Sequence, residues 1–309
     1  NTFGQVLSDA FEPSTPDNRE NLNVFSTGPD LHLQVGRTTE LLVQARYEDA
    51  SYQSSDNADT QRTTGNIALI RRPSPSVAWS INASTSHVEY DTSGDTDYNN
   101  QEIFVRLETT GAHQTLTADL GAGFLDGDEQ EDQGMVMRIN WMRNLSPSWR
   151  TELGAISEFR NADDQFVSGV AGGSELGGTQ DVLLSGQAMR NDSAVLGLHF
   201  TRPRTTFRLL GDIGKETYPD VDGLDRDRWS LGVEASRLLT ARLRATIEAR
   251  HENRTNDNSA NDDKTDTLGL RLDWRLGRAL FLGIEGRHED RSGETGFGYT
   301  ETIYGASIT

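Results

Sequence analysis

The sequence predicts an all-β protein: an antiparallel, up-and-down transmembrane β-barrel of about 16 strands, with short periplasmic turns and long acidic extracellular loops. Three observations predict it. Apolar and polar residues alternate strictly along most of the chain, the mark of strands with one apolar and one polar face. The connections alternate in length, short then long, as outer-membrane barrels do and soluble sandwiches do not. Apolar residues make up only 34% of 309. A water-soluble core of that length draws on roughly 45–50%, whereas a barrel pairs its backbone internally and needs only a thin apolar band.

The elements follow in order. Strand 29–36 runs into the turn Gly36-Arg37-Thr38-Thr39. In 39–52, Leu41, Val43, Ala45 and Tyr47 interleave with Leu42, Gln44, Arg46 and Glu48. Strand 61–71 closes on Arg72-Pro73-Ser74-Pro75. In 76–90, Val77, Trp79, Ile81 and Ala83 interleave with Ala78, Ser80, Asn82 and Ser84. In 101–110, Ile103, Val105 and Leu107 interleave with Phe104, Arg106 and Glu108. In 114–125, Leu116, Ala118, Leu120, Ala122 and Phe124 enclose Thr117, Asp119 and Gly121. Strands 134–144 and 148–160 flank Leu145-Ser146-Pro147-Ser148, and 193–201 and 205–218 flank Arg202-Pro203-Arg204-Thr205. Strand 227–238 precedes Leu239-Thr240-Ala241. In 241–252, Leu243, Ala245, Ile247 and Ala249 interleave with Arg244, Thr246, Glu248 and Arg250. In 266–276, Leu268, Leu270, Leu272 and Trp274 interleave with Gly269, Arg271, Asp273 and Arg275. Strands 279–290 and 298–309 complete the set. The short connections are turn-forming clusters of hairpin length. The long ones, 50–60, 91–100, 126–133, 161–192, 218–227, 252–265 and 290–297, are polar and mostly acidic.

This gives fifteen strands, an odd number where single-chain bacterial barrels have even ones. Upstream strands are therefore expected to precede the chain, for 16 strands or 18 in the full-length protein, or else 181–190 adds a strand. Residues 1–28 read as an extracellular loop or N-terminal extension, and 29–309 as one barrel domain. Thirteen aromatics near strand ends, Tyr47, Tyr52, Tyr90, Trp141, Trp149, Phe159, Phe200, Phe207, Tyr218, Trp229, Trp274, Phe281 and Tyr299, are expected to form interfacial girdles.

Composition excludes several functions. Acidic residues outnumber basic ones 48 to 29, for a net charge of -19, which disfavours nucleic acid as a partner. Cysteine is absent, so disulfides and thiolate metal sites are excluded. No apolar run is long enough for a transmembrane helix.

The segment from Thr15 to Asp30 (TPDNRENLNVFSTGPD) leads into a strand, and Phe200-Thr201-Arg202-Pro203-Arg204-Thr205-Thr206-Phe207 spans a hairpin. With the hairpin cadence, these resemble the outer-membrane β-barrel proteins of exopolysaccharide and exosortase (PEP-CTERM) loci, of the β-barrel porin type. The resemblance covers nearly the whole chain, and its local motifs are moderately specific. It implies an exported protein of the outer membrane of a Gram-negative bacterium that helps polysaccharide across. It brings no catalytic residues.

The residues expected to line the lumen are those in the polar phase: Arg46, Glu48, Arg106, Glu108, Arg138, Arg150, Glu152, Arg208, Asp212, Arg244, Glu248, Arg250, Arg271, Asp273, Arg275, Glu285 and Arg287. Both charge signs on one wall brace it through cross-strand pairs and offer charge-assisted hydrogen bonds to a solute. The acidic loops hold weak Ca²⁺ candidates, Asp95, Asp97, Asp126 and Asp128, but none has EF-hand spacing, so no metal and no cofactor is expected. The six histidines are scattered. His251-Glu252 and His288-Glu289-Asp290, at extracellular strand ends, are the nearest to a hydrolase site, and no nucleophile motif accompanies them. The glycines of loop 161–192 lack the lysine and helix of a phosphate cradle. The sequence leaves the role of that loop open between a mobile outer loop and, given the apolar Val182-Leu183-Leu184, a constriction or plug folded into the lumen.

The leading expectation is a porin-like pore or exopolysaccharide-export component, not an enzyme. The alternatives are a non-conducting structural or adhesion barrel that binds partners through its acidic loops and, less favoured, a hydrolase at the extracellular rim. Expected partners are the lipid bilayer, lipopolysaccharide, polysaccharide and other envelope proteins.

Overall fold

The computed structural model describes residues 2–7, 19–52, 59–91, 97–127, 131–160, 189–218, 225–256, 262–277, 280–293 and 298–308. The regular elements are all strands: β1 (Thr2–Leu7), β2 (Arg19–Thr27), β3 (Asp30–Gln34), β4 (Thr39–Tyr52), β5 (Thr60–Ser74), β6 (Val77–Tyr90), β7 (Tyr98–Thr110), β8 (Gln114–Gly127), β9 (Glu131–Ser146), β10 (Trp149–Arg160), β11 (Met189–Arg202), β12 (Thr205–Thr217), β13 (Arg226–Leu238), β14 (Leu243–Asn256), β15 (Asp263–Arg275), β16 (Phe281–Gly293) and β17 (Tyr299–Ile308).

Strands β3 to β17 are the fifteen expected from alternation. β1 and β2 are additional, and both lie in the 1–28 segment. β2 and β3 are one line in two pieces. β2 pairs with residues 47–52 of β4, and β3 pairs with residues 40–44 of the same strand. Between them, Pro29 has no N–H to give to the ladder; its carbonyl accepts the amide of Ala45 at 3.1 Å. A Cβ at Gly28 would stand 1.9 Å from the Ala45 carbonyl oxygen, so only glycine fits the approach. Seventeen segments with two sharing a line give sixteen antiparallel strands among the described residues. Residues 161–188, including most of 181–190, lie outside the described residues. β11 begins at Met189, so the last four residues assigned to loop 161–192 are strand.

The chain divides into two compact units. The first comprises Asn1–Asn140, Ala155–Asp192 and Glu216–Asp222. In it β1 pairs with β2, β2 and β3 with β4, and β4 through β8 pair in succession, all antiparallel. The second comprises Trp141–Gly154, Ser193–Lys215 and Gly223–Thr309. In it β13 through β17 pair antiparallel in succession. Proline opens the two-residue turns Pro75-Ser76, Pro147-Ser148 and Pro203-Arg204, where its fixed φ is preset for a hairpin corner. At one of them the Ser146 hydroxyl accepts the amides of Ser148 and Trp149, each at 3.2 Å.

The faces are inverted relative to a water-soluble sheet. In the first unit the apolar phase is open: Ile67, Ile81, Ile103, Val105 and Leu120 are 47–61% exposed. The polar phase is covered: Ser80, Asn82 and Asp119 are no more than 5% exposed. In the second unit Ile247, Leu268, Leu270, Ile284 and Ile303 are at least half exposed, while Ser230 and Ser236 are buried. A row of open apolar side chains over covered polar ones is stable where the outer medium is hydrocarbon.

The aromatics divide between the two faces. Trp149, Trp229, Trp274, Phe281 and Tyr47 are exposed, as a girdle requires. Tyr90, Phe159 and Tyr218 are not part of it. Phe159 is buried with Val88, Tyr98 and Leu125 in a small core against which Tyr90 packs, and Tyr218 is 4% exposed. Nearness to a strand end does not tell whether a ring is open or covered.

Candidate functional site

The polar face of the first unit carries a connected charge network. Register sets Arg106 of β7 opposite Asp119 of β8. Their pairing is bidentate: Arg106 Nε and Nη2 donate to the two carboxylate oxygens, each at 2.7 Å. Arg138 of β9 is the hub. Its Nη2 donates to both oxygens of Glu102 at 2.7 Å, its Nε donates to Glu158, and its Nη1 lies 3.7 Å from Asp119. Arg160 donates to the other oxygen of Glu158. Arg190 donates to Ser157 at 2.9 Å and to Asp192 at 3.0 Å. Asp119 and Glu158 are nearly inaccessible, with 1% and 4% of their side chains exposed. Buried carboxylates are tolerated only when paired, and here each has at least one guanidinium. The Phe104 ring lies between two of those cations, 5.5 Å from Arg106 and 5.2 Å from Arg138, within cation–π range. Gly121 makes room for it: a Cβ there would be 2.5 Å from that of Phe104.

Beside this network the wall adds amide side chains to the charged ones. Asn66 donates to Gln44 at 3.1 Å, and Gln44 donates to Asp30 at 2.9 Å. Asp30 also accepts from Arg46 at 2.5 Å. A cavity of about 120 Å³ is lined there by Gln44, Asn66, Ser80, Asn82, Arg106 and Glu108, among others.

The second unit has its own cluster. Asp212 of β12 accepts from Ser230 and lies 3.6 Å from Arg228 Nε and 3.9 Å from Arg250 Nη2. Glu252 takes Arg254 at 2.6 Å and Arg250 at 3.1 Å. Nearer the short turns, His199 stands 3.4 Å from Glu152, and Arg208 donates to His199 at 3.3 Å. A cavity of about 320 Å³ there includes Trp149, Arg150, His199, Phe200, Arg208 and Glu234 in its lining.

The remaining candidates fall elsewhere on the polar phase. Glu48 is 3.8 Å from Arg62. Arg244 lies opposite Asp273 in register. Glu248 lies opposite Glu234 and over Gly269, where a Cβ would be 2.4 Å from its carboxylate. Arg271 bonds Asp273 at 2.9 Å and approaches Glu285 at 3.7 Å, with Arg271 and Glu285 exposed and Asp273 partly buried. Arg275 donates to the Gly277 carbonyl at 3.1 Å, and Arg287 pairs with Glu289 at 2.9 Å. The candidate set omitted Asp30, Glu102, Asp119, Glu158, Arg160, Arg190, Arg228, Glu252 and Arg254. Asp119 shares the phase of Thr117 and Gly121 and was open to the same rule, whereas Arg190 and Asp192 fell in a segment assigned to a loop.

The two rim histidines take partners other than their neighbours in sequence. His251 bonds Asp266 at 2.7 Å and stacks on Trp229, centroids 5.0 Å apart; Glu252, its neighbour in sequence, bonds Arg254 instead. His288 bonds the Thr302 hydroxyl at 2.9 Å. Asp97 accepts the Tyr90 amide at 2.9 Å. Asp95 and Asp128 lie outside the described residues, and among the described residues no group of three or more His, Asp or Glu is placed to hold a metal ion.

No family model matches the chain, and no curated protein matches it. Solved structures do. A siderophore receptor, PirA from Pseudomonas aeruginosa, aligns over 94% of this chain and 56% of its own at TM-score 0.58 and 11% identity. The FrpB iron transporter from Neisseria meningitidis aligns over 92% and 54% at 0.56 and 12% identity. The copper transporter OprC aligns over 93% and 56% at 0.54 and 12% identity. The chain thus spans just over half the length of these structures. What the likeness shows is the fold, that of outer-membrane β-barrels.

Proposed function

We infer that the chain is an outer-membrane pore of a Gram-negative bacterium, whose charged and amide-lined inner face passes hydrophilic solutes. It stands in the membrane with its open apolar phase against lipid. The observation that carries this reading is the inversion of faces: Ile81 is 47% exposed while Ser80 and Asn82 beside it are 5% exposed. A chain that hides hydroxyl, amide and ion-pair side chains and displays isoleucine is built around a wet interior. The solved neighbours named as iron and copper transporters favour passage of a solute. Export of exopolysaccharide is the finer reading, and it rests on the resemblance of 15–30 and 200–207.

One observation favours the second reading, a non-conducting structural barrel: the first unit's network is neutralised within itself, Arg138 alone meeting three carboxylates. Conductance decides. The chain folded into planar bilayers is expected to give steady single-channel steps that scale with salt between about 0.1 M and 1 M. Folded protein that gives no steps at either concentration overturns the pore and leaves the structural barrel.

A further inference from the structure

We propose that the open apolar face of the second unit carries, at its short-turn end, a docking row for the phosphates of anionic phospholipids. This rests on the reading of that face as lipid-facing. The sequence segregates charge there: 141–151, 193–211 and 235–247, which enclose three of the short turns, carry arginines and no Asp or Glu. Arg143 of β9, Arg202 of β11 and Arg237 of β13 share the parity of the open Leu145, Leu196 and Leu231, so they belong to the apolar phase and stand at its end. Arg204 and Arg242 lie in the turns themselves. All five are exposed, and none is in an ion pair among the described residues. Carboxylates of the same phase stand at the other end: Asp227, Asp266 and Asp290 share the parity of Trp229, Leu268 and Ile284, beside the long connections.

Backbone bonds between neighbouring hairpins hold these cations in one row. The Ser148 carbonyl accepts the Thr201 amide at 2.8 Å, the Arg204 carbonyl accepts the Leu238 amide at 2.8 Å, and the Arg242 carbonyl accepts the Arg275 amide at 2.7 Å. Hairpins two strands apart set their turns roughly 10 Å from one another, so each hairpin meets its own headgroup. Rings mark the level. Trp149 stacks on Phe200, centroids 4.8 Å apart, and the Arg202 guanidinium lies 5.6 Å from the Phe200 ring. Aromatic side chains of this kind sit where hydrocarbon gives way to headgroups. The group waiting just beyond is a phosphodiester, whose oxygens match the guanidinium fork. A zwitterionic lipid brings its own cation to that phosphate, whereas a lipid of net negative charge gains from each arginine. A soluble acidic partner fits less well, because the in-phase neighbours of Arg143, Arg202 and Arg237 are Trp141, Phe200 and Ala235, apolar residues that face hydrocarbon.

The test uses the full chain with Trp149 as its sole tryptophan, folded into phosphatidylcholine vesicles. A minor fraction of the lipid carries bromine on its acyl chains, either as phosphatidylglycerol or as phosphatidylcholine. At about 0.1 M salt, brominated phosphatidylglycerol is expected to quench Trp149 as though enriched about fivefold around it, the effect of one arginine at a lipid surface. The preference is expected to vanish at about 1 M salt, where surface charge is screened, and in the double variant Arg202→Gln, Arg204→Gln. A chain that retains only Trp229, at the carboxylate end of the same face, is expected to show no preference. The salt arm alters no arginine, so it decides even if the double variant fails to fold. Equal quenching of Trp149 by the two lipids leaves the row to a soluble partner and overturns the proposal, as does an equal preference at Trp229 or one that survives high salt or the double substitution. Quenching by neither lipid at either tryptophan overturns the membrane reading itself. The readout needs no current, so a silent conductance experiment leaves it untouched.

Discussion

Arg138 shows what one residue does on the covered face. Three carboxylates, Glu102, Asp119 and Glu158, converge on it, and two of them are almost fully buried. Removing the cation leaves Asp119 to Arg106 alone and Glu158 to Arg160, and takes from Glu102 the guanidinium that meets both its oxygens. Arg138→Gln is therefore expected to destabilise the fold by about 3 kcal/mol, the lower end for a broken buried pair because part of the guanidinium is open. Reversible urea unfolding in lipid vesicles measures it, and a loss below about 0.5 kcal/mol, that of an ordinary surface ion pair, would contradict the assignment. Arg138 was legible in the sequence because its phase is polar. Its partners were not, since Glu158 comes from a strand twenty residues on and only register decides which carboxylate arrives.

Alternation is the property of whole elements, and it carries the most reliable prediction. Ile81 and Leu268 project from the apolar phases of β6 and β15, each about half exposed. Arginine at either position, near the middle of a membrane-spanning strand, is expected to cost about 2–4 kcal/mol. Asn82→Ser, one residue from Ile81 but on the polar face, is expected to cost much less. Unfolding midpoints of the three variants in one lipid check this, and equal losses on both faces would contradict the inversion. Fifteen strands were legible because period two, turn residues and alternating loop lengths agree. β1 is short, and β2 is cut from β3 by Gly28-Pro29, so neither shows a sustained period. The girdle failed at Tyr90 and Tyr218 because those rings share the parity of the covered Val88 and Glu216, whereas Phe159 has the parity of the exposed Trp149 and is covered by packing.

At the scale of the molecule, the prediction concerns the medium. Trp229 and Trp274 are 43% and 49% exposed on the face that carries the apolar row. In variants that retain either as the sole tryptophan, brominated acyl chains are expected to quench the fluorescence strongly. Emission that stays water-like and unquenched would show that this face does not meet lipid. The net charge of -19 has a different source in the sequence, acidic runs such as 126–132 and 256–263 between the alternating segments, which leaves the wall free to hold arginines.

The sequence by itself determined the fold class and the face of nearly every strand residue, because side-chain parity is a local property that burial in lipid enforces along each strand. Only the tertiary structure decided which charges meet. The pairing of Arg106 with Asp119, the gathering of three carboxylates on Arg138 and the cluster around Asp212 depend on register and on which strand lies next. These are contacts between residues 13 to 38 positions apart, set by how hairpins stack, and no periodicity within one strand encodes them.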